Sequence, residues 1–101
     1  MHYRFDPKMF IDQPLHLEGG GDDDYRVTIS AHTAGRIFRT MRSASQHVWL
    51  WTVTGPYLPG AALNGNGDSA ELTGAKAAFR STFDAWLQWA VQQNAPIFWH
   101  E

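Results

Sequence analysis

From Tyr25 to Ala31 every second residue is apolar, with Tyr25, Val27, Ile29 and Ala31 alternating against Arg26, Thr28 and Ser30. A period of two is that of a strand with one buried face. His32, Thr33, Ala34 and Gly35 follow as a tight connection in which Gly35 supplies positive φ, and residues 36–42 read as a returning strand. Residues 43–46 form a second polar turn. Residues 47–54 are dense in β-branched and aromatic side chains and closed by Gly55-Pro56, which makes them the most strand-like segment of the chain. Three short strands over residues 25–54 predict an antiparallel meander.

Beyond residue 68 the period changes. Leu72, Ala75, Phe79, Phe83, Trp86 and Ala90 recur at steps of three and four along one stripe, with Arg80, Ser81, Asp84, Gln88 and Gln92 opposite, so the segment 69–94 is predicted to be helical. Asp68 or Ser69 is suited to cap its start, and Asn94 with Pro96 ends it. Between meander and helix, residues 55–68 hold two Pro and four Gly and read as a long loop, a candidate functional surface that includes Tyr57. Residues 1–24 read as an irregular arm ending in a solvated Gly/Asp linker, with Tyr3 and Phe5 starting a short edge strand. The arm's apolar residues are too many for a free tail, so it lies across the domain. Residues 95–101 are an apolar tail, either a final strand or a cover over the core.

An amphipathic helix and a one-sided meander each have an apolar face to hide, and they hide it on each other. The expected fold is therefore α+β, a three-stranded antiparallel meander packed against one long C-terminal amphipathic helix. Of the two faces of the third strand, the one bearing Trp49, Trp51 and Val53 is assigned to the helix rather than that of Val48 and Leu50. Exposing large rings costs about 25 cal/mol per Å².

At 101 residues the chain has material for one core and a single domain over 1–101. It holds no cysteine, which excludes disulfides and thiolate zinc sites and fits a reducing compartment. No run approaches about 18 apolar residues, and the N-terminal stretch is charged where a signal peptide is apolar, so a soluble cytoplasmic protein with no membrane partner is expected. A net charge of −2 gives no global field to draw the chain onto nucleic acid. The 14% aromatic content, with five Trp, requires rings either in the core or on a contact surface.

The five histidines form no His-Glu-x-x-His and no i, i+4 pair, so no metal site is expected. Asp22, Asp23 and Asp24 do not alternate as calcium ligands do, and neither glycine cluster is a phosphate loop. With no Gly-x-Ser-x-Gly and no cysteine, an enzyme would need a pocket joining His32 or His47 to a carboxylate. The reading is therefore no cofactor and no catalysis. What stands out is basic and aromatic: Arg26, Arg36, Arg39 and Arg42 on the first two strands, Trp49 and Trp51 on the third. Arg and Trp are the residues most enriched at binding hot spots, which suits another protein as partner. The alternative is a single-stranded nucleic-acid platform on which the two rings stack bases. A homodimer is left open.

The run from Trp49-Leu50-Trp51 through Gly67-Asp68 to Leu72-Thr73-Gly74-Ala75-Lys76-Ala77-Ala78-Phe79 and Trp86-Leu87 resembles small uncharacterised proteins of α-proteobacteria over residues 47–90. That resemblance implies a β-meander plus helix and no particular activity. The passage from strand through Gly-Asp to an alanine-rich helix is more distantly similar to antitoxins of the HicB type, which implies a small β-β-β-α domain that binds a partner toxin; a phage-type inhibitor of a nuclease fits the same physical description. No helix-turn-helix or ribbon for DNA follows in this chain.

Overall fold

The computed structural model describes residues 2–19, 21–55 and 65–100. In chain order these form β1 (His2–Phe5), a 3-10 turn (Pro7–Phe10), β2 (His16–Gly19), β3 (Asp24–Ile29), β4 (His32–Ser43), β5 (Gln46–Val53), β6 (Gly65–Ser69), α1 (Leu72–Gln92) and β7 (Ile97–His100). The α+β class holds, but the sheet has five antiparallel strands in the order β2-β3-β4-β5-β6, and β1 pairs with β7 in a separate two-stranded ribbon. The three-stranded meander is thus only the centre of the sheet.

Of the added strands, β1 and β7 were among the expectations, and β2 and β6 correct them. Within the arm, β1 is the strand anticipated at Tyr3 and Phe5, whereas the 3-10 turn and β2 were not. Asp6 caps that turn by accepting from the Lys8 amide at 2.9 Å, and Phe10 is carried into the core. The Gly/Asp linker shortens to a turn, because Gly19 ends β2 and Asp24 begins β3. The tail resolves as the strand β7. At the end of the supposed loop 55–68, Gly-Asn-Gly-Asp-Ser forms β6, while Tyr57 and the rest of 56–64 lie outside the described residues.

β6 is a strand in spite of poor intrinsic propensity, because its glycines admit their neighbours. A Cβ on Gly67 would stand 2.7 Å from the Trp51 ring, and one on Gly65 would stand 2.4 Å from Thr82 of α1. Tertiary packing overrides propensity here, as is usual for strands. The first hairpin turn is also displaced. It falls at Ser30 and Ala31, both with positive φ (47° and 69°), and His32 already pairs with Ile29. The right-handed twist of the strands selects a turn with positive φ at both central residues, here without the usual Asn or Gly. Gly35 lies inside β4 instead, opposite Val53.

The helix covers the face that carries Trp49, Trp51 and Val53. Ala75, Phe79, Phe83, Trp86, Leu87 and Ala90 are buried together with Val27, Ile29, Ile37 and Val53, and Leu72, Trp49 and Trp51 pack half-buried against them. Phe10, Ile97 and Trp99 belong to the same cluster, so the ribbon shares the main core. The Trp99 indole donates to the Thr33 carbonyl at 2.9 Å and lies parallel to the His32 ring, with Phe5 and Phe10 edge-on. The helix starts at Leu72, later than expected: Glu71 occupies the cap position without a side-chain bond, and Ser69 accepts from the Glu71 amide at 3.3 Å. It ends as read, with Asn94 in the left-handed region (φ 51°).

Gly35 is the tightest point of this packing. A Cβ there would meet the Thr52 carbonyl oxygen at 2.0 Å and the Phe79 ring at 2.6 Å. Gly35→Ala is expected to destabilise the fold by about 1–3 kcal/mol or more through overpacking. Phe83→Ala, which empties a fully buried site, is expected to cost about 3–5 kcal/mol. Urea unfolding measures both, and a loss under about 1 kcal/mol for either variant would contradict this account of the core.

Candidate functional site

The face of the sheet turned away from α1 is built from alternate residues of every strand, and the register arranges them in rows. One row runs Glu18, Arg26, Arg36, Thr52 and Asn66 from β2 to β6. The next runs Asp24, Phe38, Leu50 and Asp68, with Thr40 and Val48 beyond it. Phe38, Leu50, Thr40 and Thr52 are half-exposed and Val48 is buried. An apolar strip along β4 and β5 is therefore flanked by carboxylates at both ends of its row.

Each carboxylate holds an arginine. Arg36 donates to both oxygens of Asp24, at 2.9 and 2.7 Å, the two-pronged geometry that makes Arg–carboxylate pairs directional. The same guanidinium lies 4.1 Å from the centre of the Phe38 ring, so cation and ring cover each other. Arg26 pairs with Glu18 directly across on β2, and Arg42 reaches Asp68 on β6. These three arginines and three carboxylates leave the face with no net charge. They are about half-exposed, so their worth is in orienting the rim more than in stability.

The structure thus brings together three of the four arginines that the sequence singles out. Arg39 lies on the other face, opposite Trp49, and pairs with Asp23 at 3.7 Å. Trp49 and Trp51 lie on that helix-side face too, Trp49 stacked on Tyr25 at 6.2 Å. Sequence reasoning missed the carboxylates. Asp23 and Asp24, read as a solvated linker, are the partners of Arg39 and Arg36. Leu50 was already assigned to the face away from the helix, whereas Phe38 joins it there only through the register of β4 on β5. The histidines proposed for a catalytic pocket are apart: His32 stacks in the Trp99 cluster, and His47 is exposed near the far end of the β4–β5 hairpin. Among the described residues no group of three or more His, Asp or Glu could hold a metal, and no helix is long and apolar enough to cross a membrane.

The chain matches no protein-family model, no curated protein and no solved structure.

Hydrogen bonding to Arg36 holds the Asp24 carboxyl below the ordinary carboxylate value, and the same bond raises Arg36. Because the folded-state pKa of Asp24 is lowered, its contribution to stability is present above the ordinary carboxylate range and is lost as pH falls through the depressed value. An NMR titration of side-chain carboxyls should find Asp24 titrating lower than in an Arg36→Gln variant, where it returns toward the ordinary carboxylate range. Equal midpoints in the two proteins would mean the pair is not formed in solution.

Proposed function

We propose that this protein is a non-enzymatic interaction module whose open sheet face docks onto another protein. The observation that carries the reading is the composition of that face, an apolar strip of half-exposed Phe38 and Leu50 rimmed by the Arg26–Glu18, Arg36–Asp24 and Arg42–Asp68 pairs. An apolar centre inside a polar, arginine-bearing rim is the anatomy of protein interfaces. The partner it suits is apolar at its centre and carries both signs of charge at its edge, since the rim is already neutral. Antitoxins and nuclease inhibitors are small modules of this kind, and either role accords with the reading.

Single-stranded nucleic acid suits the face less well. Each arginine already has a carboxylate, which opposes the phosphate contacts that dominate such affinity. Trp49 and Trp51 are half-buried on the helix side, away from Arg26, Arg36 and Arg42.

A photo-crosslinking amino acid placed at Thr40, on the open face, should give defined protein adducts in lysate of the native host, while the same group at Gln88, on the outer side of α1, should not. Adducts of equal pattern from both positions would sink the proposal. Single-stranded oligonucleotides should leave the tryptophan fluorescence unchanged at physiological salt, and micromolar, salt-sensitive quenching would favour the nucleic-acid alternative.

A further inference from the structure

The helix does not sit over the middle of the sheet. Its Thr82 packs on Gly65 of β6 and its Phe79 on Gly35 of β4, so Val27 and Ile37 are buried beneath it while Leu15 and Leu17 at the β2 edge stay half-exposed. There a half-open groove of about 190 Å³ runs, its accessible wall formed by half-exposed Leu15 and Leu17 from the arm and β2 and its floor by the buried Val27, Ile37 and Phe79. A cavity of about 150 Å³ with a similar aliphatic and aromatic lining admits a benzene ring. The groove is thus of a size for one phenyl or branched aliphatic side chain.

Two features say what presents that side chain. First, the polar residues of the lining are Lys76 and Arg80, one helical turn apart, and no acid joins them. Arg80 is fixed in place, donating to the Gln13 carbonyl at 2.6 Å and to Asp84 at 2.9 Å. Lys76 is exposed and makes no ion pair among the described residues. Second, the groove adjoins β2, which is the edge of the five-stranded sheet, with His16, Glu18 and Gly19 exposed. Half the backbone groups of an edge strand point away from the sheet and can pair with another extended chain.

We infer that the groove between β2 and α1 binds an extended peptide ending in a large apolar residue, which adds to β2 as a further strand, buries its last side chain in the groove and sets its terminal carboxylate against Lys76. This is strand addition, in which main-chain bonds give affinity and the pocket gives selectivity. The site is on the opposite face from the docking surface proposed above, so either can fail without the other.

The test uses a fluorescein-labelled peptide, Thr-Val-Thr-Val-Phe with a free carboxylate, followed by fluorescence anisotropy against the full chain. Binding is expected to weaken at least tenfold when the peptide is amidated, when its last residue is glycine, or when the protein carries Lys76→Ala, and to persist in Lys76→Arg. Lys76 is exposed, so these variants should keep the wild-type circular dichroism and thermal melt. Bound peptide should also slow amide exchange over residues 16–19. Four results would overturn the inference: no binding at millimolar protein, equal affinity for acid and amide, unchanged affinity in Lys76→Ala, or protection on β4 and β5 instead of β2. A fifth is 3-phenylpropionate binding as tightly as the peptide, because a small carboxylate would then be sufficient and the edge strand would have no part.

Discussion

The whole arrangement rests on the contact between the Phe79 ring and the backbone at Gly35. A helix normally keeps its distance from a sheet because side chains of both layers stand between them. Here one layer has no side chain at the crossing point, and the Phe79 ring comes down onto bare strand, with the Thr52 carbonyl alongside. Gly65 and Gly67 repeat the device on β6, under Thr82 and Trp51. These gaps set where α1 lies, and that position in turn decides which rings are covered and which part of the sheet remains open. Close packing of this kind leaves little room for adjustment.

The parts of the fold that could be read from the sequence are those governed by periodicity. The alternation at Tyr25, Val27 and Ile29 and the three-and-four stripe of Phe79, Phe83 and Trp86 each point to one buried face, and those faces do meet. The parts that could not be read are governed by partners distant in sequence. β6 is composed of residues that disfavour strands, and only Trp51 and Thr82 explain why glycine suits it. β2 is four residues long and acquires its identity from pairing with β3. The turn at Ser30-Ala31 lacks the residues that advertise positive φ, so Gly35, the nearest glycine, drew the assignment to the wrong place.

The site shows the same division. Arg26, Arg36 and Arg42 were visible as a group of cations, but whether they formed a free basic surface depended on where the acids fell. Asp24 is diagonal to Arg36 across the β3–β4 pairing, Glu18 is directly opposite Arg26, and Asp68 arrives on a strand that the sequence did not announce. Cross-strand neighbours of opposite sign are favourable in the first two of these positions, whereas Arg42 reaches past β5 to Asp68. A count of charges gives −2 for the chain and says nothing of this pattern. Register converts a basic-looking segment into a neutral face with an apolar strip, and the functional reading changes from an electrostatic one to one of shape and hydrophobic contact.

The ribbon of β1 and β7 ties together residues at opposite ends of the chain, His2 with His100 and Phe5 with Ile97. Such a pairing is about as non-local as a chain of this length permits, and closing so long a loop is slow compared with forming a hairpin. During synthesis β1 leaves the ribosome long before its partner is made, and Phe5 and Phe10 wait without Trp99, the ring they both pack against. The central hairpins can form early, but β7, with Ile97 and Trp99, is the strand that seals the end of the core. Folding of the domain is therefore timed by the arrival of β7.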